Sequence, residues 1–112
     1  MKNKYFNKKV IVDGIKFDSK KEAKRYEELK ILKKSGLIKE LELQPVFELQ
    51  EAYTNNKKEK VRAITYKADF LYFDIHLDKY IVEDVKGYKT EVYKLKKKLL
   101  EYQYPNLTLE EI

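Results

Sequence analysis

The run Tyr80-Ile81-Val82-Glu83-Asp84-Val85-Lys86-Gly87 ends an apolar, strand-like stretch with two carboxylates and an ammonium group. Side chains alternate along a strand, so Asp84 and Lys86 share one face while Glu83 and Val85 share the other. Upstream, Tyr66-Lys67-Ala68-Asp69-Phe70-Leu71-Tyr72 sets an acid between apolar neighbours, where aspartate has poor strand propensity. If the two stretches are antiparallel neighbours, Asp69 approaches Asp84, and carboxylates that close need a shared proton or a cation between them. A divalent ion is the economical solution, with Lys86 adding positive charge at its edge.

Glu22 belongs with this group through its helix. It precedes Tyr26 by four and Leu29 by seven, which places it on the inward face, where it would look over the acids. Each residue also has a plainer reading. Asp84 and Lys86 would serve as an ion pair at a sheet rim, Asp69 as an acid at a strand end, and Glu22 as the N3 member of the capping box Ser19-Lys20-Lys21-Glu22. Glu83 competes with Asp84 for the role of ligand, although the spacing to Lys86 favours Asp84.

The elements that must position these residues follow from local pattern. Apolar runs around Asp13-Gly14 predict a tight β-hairpin over residues 9–17, and Ser19 opens a helix that Ser35-Gly36 closes. Residues 37–49 predict two extended pieces bent at Gln44-Pro45, and the polar stretch 54–60 is a hairpin loop. Two strands follow, over 63–73 and 79–86, joined near His76. A second helix capped by Thr90 carries an apolar stripe of Val92, Leu95, Leu99 and Tyr102, and residues 107–109 form a last strand after Pro105. The result is one α/β domain over residues 1–112, without repeat or linker.

Composition narrows the chemistry. The chain has 112 residues, enough for one modest core. It has no cysteine and a single histidine, which excludes thiolate zinc sites and cysteine nucleophiles, so a bound metal would take oxygen ligands and be a hard cation such as Mg2+ or Mn2+. A formal charge of +6 suits an anionic partner such as nucleic acid. Without an apolar run of membrane-spanning length or a signal-peptide core, the expected location is the cytoplasm.

The acid, the gap and the acid-x-Lys triplet, Asp69 then Asp84-Val85-Lys86, resemble the PD-(D/E)XK nuclease superfamily. Ala68 stands where that motif has proline. Over nearly all its length the chain is similar to a small phage and prophage family of such proteins of unknown function. The similarity rests on Val12-Asp13-Gly14-Ile15-Lys16-Phe17-Asp18-Ser19-Lys20-Lys21-Glu22-Ala23, Gln44-Pro45-Val46-Phe47, Tyr66-Lys67-Ala68-Asp69-Phe70 and Val82-Glu83-Asp84-Val85-Lys86-Gly87. The resemblance implies a restriction-endonuclease-like αβββαβ core, with a mixed central sheet flanked by helices and an amino-terminal β-hairpin. It also implies a Mg2+-dependent endodeoxyribonuclease akin to Holliday-junction resolvases, selective for branched DNA, with Glu22, Asp69, Asp84 and Lys86 as catalytic residues. Asp69, Asp84, the Val85 carbonyl and Glu22 would hold Mg2+ or Mn2+, while Lys89, Lys94, Lys97 and Lys98, or Lys20, Lys21 and Arg25, would contact DNA phosphates. Symmetric cutting of a junction would require a homodimer. The competing expectation is a catalytically inactive nuclease-fold module that binds DNA or a protein.

Overall fold

The computed structural model describes residues 9–85 and 88–112. Lys86 and Gly87 lie outside the described residues. The hairpin pairs β1 (Val10–Val12) with β2 (Ile15–Phe17), and Asp13 and Gly14 between them take positive φ of 55° and 76°. A two-residue turn of that kind matches the right-handed twist of its strands, and glycine adopts it without a steric penalty.

Helix α1 (Lys20–Lys34) begins at Ser19, whose extended backbone and side-chain oxygen, accepting from the Glu22 amide at 3.1 Å, form the expected cap. Only half of a capping box is present. The Glu22 carboxylate accepts from the Asp18 amide at 3.4 Å. The helix buries Glu22, Ala23, Tyr26 and Leu29.

A four-stranded sheet has the order β10 (Leu107–Glu111), β9 (Lys79–Asp84), β8 (Phe70–Asp74), β3 (Ile38–Leu43). Strand β8 runs antiparallel to both neighbours, and β10 runs parallel to β9. A parallel return needs a crossover, and α2 (Glu91–Gln103) supplies it. Beyond the sheet, β4 (Val46–Gln50) pairs with β7 (Ile64–Lys67), and β5 (Tyr53–Thr54) with β6 (Lys60–Val61), forming a two-stranded arm.

Alternation along β8 and β9 sends Phe70, Tyr72 and Ile81 to the α1 side, packed with Phe17, Ala23, Tyr26 and Leu29. Val82 and Leu71 point the other way, into a second cluster with Tyr66, Ala68, Tyr93 and Leu100. The helices therefore cover opposite faces, in a mixed α/β fold with two core layers. No helix among the described residues is long and apolar enough to cross a membrane.

Two expectations are corrected. The strand over 63–73 is broken at Ala68-Asp69, opposite Gln44, which takes φ of 51°, and Pro45. Proline has no N–H to give a ladder. At this kink the Gln44 amide donates to the Asp69 carbonyl at 2.9 Å, and the Ala68 amide to the Pro45 carbonyl at 3.0 Å, so the two hairpins stay joined as one bent ribbon. On α2, Tyr93 and Leu100 are buried, while Val92, Leu95 and Tyr102 of the expected stripe face out and Leu99 is half-buried. The inward face is displaced by one residue, a rotation of about 100° about the helix axis. What selects it is Tyr93, whose ring lies 6.2 Å from that of Tyr66 and whose hydroxyl donates to Glu111 at 2.6 Å.

Candidate functional site

The kink delivers Asp69 to the end of β9. Phe70 is registered with Glu83, so one step further Asp69 stands opposite Asp84, and its amide donates to the Glu83 carbonyl at 3.1 Å. The two acids share the α2-side face of the sheet, as parity requires. The half-buried Asp69 carboxylate accepts from the Val85 amide at 2.6 Å, and Asp84 and Glu22 lie close enough to act on its charge. Asp84 is buried and accepts a short hydrogen bond from the Tyr66 hydroxyl, while its backbone carbonyl accepts from the Ile112 amide at 2.9 Å. Glu22 reaches the same place from the first turn of α1. Three carboxylates distant along the chain thus converge at one end of the sheet.

Their electrostatics follow from that crowding. Burial first, then the charge of Glu22 and the contacts with Asp84, push the Asp69 carboxyl up to about 7, against the opposing pull of the Val85 amide. Burial raises Glu22 as well, with the charges of Asp18 and Asp84 acting in the same direction. At neutral pH the cluster therefore retains a proton on Asp69 for part of the time. Burial and the Asp84 contact also raise the Tyr66 hydroxyl far above the ordinary phenol range, so it stays a donor.

Glu83, the rival of Asp84, belongs to the other face. Arg25 grips it with two bonds, Nε to Oε1 at 2.7 Å and Nη2 to Oε2 at 2.5 Å, and the Tyr72 hydroxyl donates to Oε2 at 2.5 Å. Arg25 also binds Glu28 at 3.0 Å, so its guanidinium, expected among the phosphate contacts, is engaged inside the fold. No buried side-chain nitrogen or oxygen among the described residues lacks a partner.

The remaining expected residues are dispersed. Lys86 lies outside the described residues. Val85 presents its amide to Asp69, and its side chain packs on the α1-side core. Lys20 and Lys21 are exposed at the start of α1. On the opposite side, Lys89 and Lys97 pair with Glu111 at 3.0 and 3.6 Å, Lys94 with Glu91 at 3.3 Å, and Lys98 is exposed. Glu111 is held down at about 2 by the Tyr93 hydroxyl first and Lys89 second.

Sequence reasoning missed Tyr66, Tyr93 and the Arg25–Glu83 pair. The partners lie 18, 18 and 58 positions apart, and no local spacing announces them.

As donors, the acids fit a hard cation, since all are carboxylates and a bound cation would counter the raised pKa of Asp69. Among the described residues, however, no three such groups are already set as a metal cage. The Asp69 and Asp84 oxygens are turned onto the Val85 amide, the Tyr66 hydroxyl and each other.

No curated protein and no solved structure matches the chain. A model for a family described as a protein of unknown function, DUF1064, matches residues 2–112, and the chain belongs to that family.

Proposed function

We propose that this chain is a metal-dependent nuclease of the PD-(D/E)XK type that hydrolyses phosphodiester bonds of DNA, with branched DNA as the preferred substrate class. The observation that carries the reading is the meeting of Glu22, Asp69 and Asp84 at one sheet end, where burial and mutual charge raise the carboxyls of Glu22 and Asp69. The order α1, β3, β8, β9, α2, β10, with the β4–β7 arm inserted, is compatible with a restriction-endonuclease-like core.

Asp69, Asp84 and the Val85 carbonyl would hold Mg2+ or Mn2+, with Glu22 as an outer or second ligand. A metal held there would supply a water of lowered pKa and Lewis-acid polarisation of the scissile phosphate. The chain's own part is to fix the acids. Tyr66 keeps Asp84 in place, the Val85 amide orients Asp69, and the first turn of α1 brings Glu22 over both. Lys86, which lies outside the described residues, would orient the attacking water and offset charge on the phosphate.

A second reading, a catalytically silent nuclease-fold protein that binds DNA or a protein partner, is favoured by the closure of the acids onto their own hydrogen bonds. Cleavage of supercoiled and four-way-junction DNA with Mg2+ separates the two. The nuclease reading expects cutting that Asp84→Asn abolishes while the fold survives. Cleavage retained by Asp84→Asn, or none by the unmodified chain with Mg2+ or Mn2+, would sink it.

A further inference from the structure

The two lysine-bearing sides of the molecule differ in how far their charge is already compensated. On α2 and the segment before it, Lys89, Lys94 and Lys97 are tied to Glu111 or Glu91. On the hairpin side, Lys16 projects from β2 away from the buried Phe17, and Lys67, at the end of β7, lies between buried Tyr66 and Ala68 with its own side chain exposed. Lys20 is exposed at the start of α1. Among the described residues none of these three lysines forms an ion pair.

Lys16 and Lys20 flank Asp18, each two positions away along the chain, and the Asp18 amide donates to Glu22 at 3.4 Å. Lys9 binds the Asp18 carboxylate at 2.7 Å, and the charges of Lys67 and Lys16 also reach it. Lys67 is two residues from Asp69. The uncompensated cations from β2, β7 and α1 therefore border the acid cluster where Glu22 enters it. A polyanion approaching three carboxylates meets repulsion that falls off over the ~8 to 10 Å Debye length, and cations within that range offset it.

The geometry points to Lys16, Lys67 and Lys20 as the contact for the phosphodiester backbone, so that a DNA strand reaches the acids over the β1–β2 hairpin and not along α2. This rests on the nuclease reading for the identity of the polyanion. Nothing in the sequence pattern singles out Lys16 or Lys67, because residues so far apart along the chain act on the same Asp18 only in the folded state.

The test is fluorescence anisotropy of a labelled DNA duplex with the full chain in EDTA, across a salt series. Each phosphate contact contributes about 0.9 to the slope of log K against log salt. Lys16→Gln with Lys67→Gln should lower the slope by about 2 and weaken binding roughly tenfold or more near 0.1 M salt. Lys94→Gln with Lys97→Gln should stay within about twofold. Lys16→Arg with Lys67→Arg should restore binding, which separates charge from packing. If the rim pair loses no more affinity than the α2 pair while the unmodified chain binds and cuts DNA, the path is wrong and the nuclease reading stands. If the unmodified chain neither binds nor cuts, the nuclease reading fails and this inference falls with it.

Discussion

Glu83 and Asp84 are consecutive carboxylates at the end of one strand, both almost fully buried, yet they sit in opposite electrostatic worlds. Glu83 faces α1 and is neutralised by a bidentate arginine and a tyrosine hydroxyl. Asp84 faces Asp69 and Glu22 and accepts from the Tyr66 hydroxyl, in a group where burial and mutual charge raise the carboxyls of Asp69 and Glu22. A buried ion pair with its hydrogen bonds complete holds elements together, whereas a group of acids left to share a proton is destabilising unless a ligand relieves it. Burial alone does not separate structural acids from functional ones; the company each keeps does.

The largest way to break this contrast is on the α1 side. Arg25→Ala leaves Glu83 buried without its partner and should cost about 3 to 5 kcal/mol of unfolding free energy in urea melts. Adding Glu83→Gln to that variant should recover part of the loss. On the other face the sign reverses. The folded-state pKa of Asp69, about 7, lies above the ordinary aspartate value of 3.8, so the native state holds the extra proton between those values. The stabilisation by that proton is full below the unfolded value and is lost as pH rises through about 7. Without metal, the melting temperature should therefore decline between pH 5 and pH 8 (roughly the span of that titration), and Asp69→Asn should flatten the decline. Mn2+ should raise the melting temperature of the unmodified chain more at the alkaline end than at the acid end, because it competes with the proton. An equal rise at both ends would show metal binding elsewhere.

Tyr66→Phe is a smaller probe. Removing the hydroxyl that Asp84 accepts should cost roughly 1 to 3 kcal/mol in apo stability, as expected for a buried acceptor losing its donor. Smallest of all, Leu95→Gln on the outward side of α2 should change stability by no more than about 0.5 kcal/mol. A cost of several kilocalories there would restore the stripe of Val92, Leu95, Leu99 and Tyr102 as the packed face.

Features whose cause is local were legible in the sequence. Asp13-Gly14 makes the turn, Ser19 caps α1, Gly36 takes φ of 81° where the helix ends, and parity separates Glu83 from Asp84. The approach of Asp69 to Asp84 followed from pairing two adjacent strands. What escaped reading depends on distant partners. Pro45 breaks a strand that is continuous by its own pattern, because the missing donor belongs to the opposite chain segment. The inward side of α2 is chosen by Tyr66 and Glu111, while both of its flanks carry apolar residues at helical spacing. Lys86, the amine that completes the motif, lies outside the described residues, so its expectation still rests on sequence alone.

The parallel seating of β10 on β9 bears on the order of assembly. Glu111 is registered with Asp84, and the Ile112 amide closes the Asp84 carbonyl. Until β10 docks, β9 presents an unpaired edge and Asp84 lacks the amide that closes its carbonyl. The ordering of the acid cluster is thereby coupled to the docking of β10.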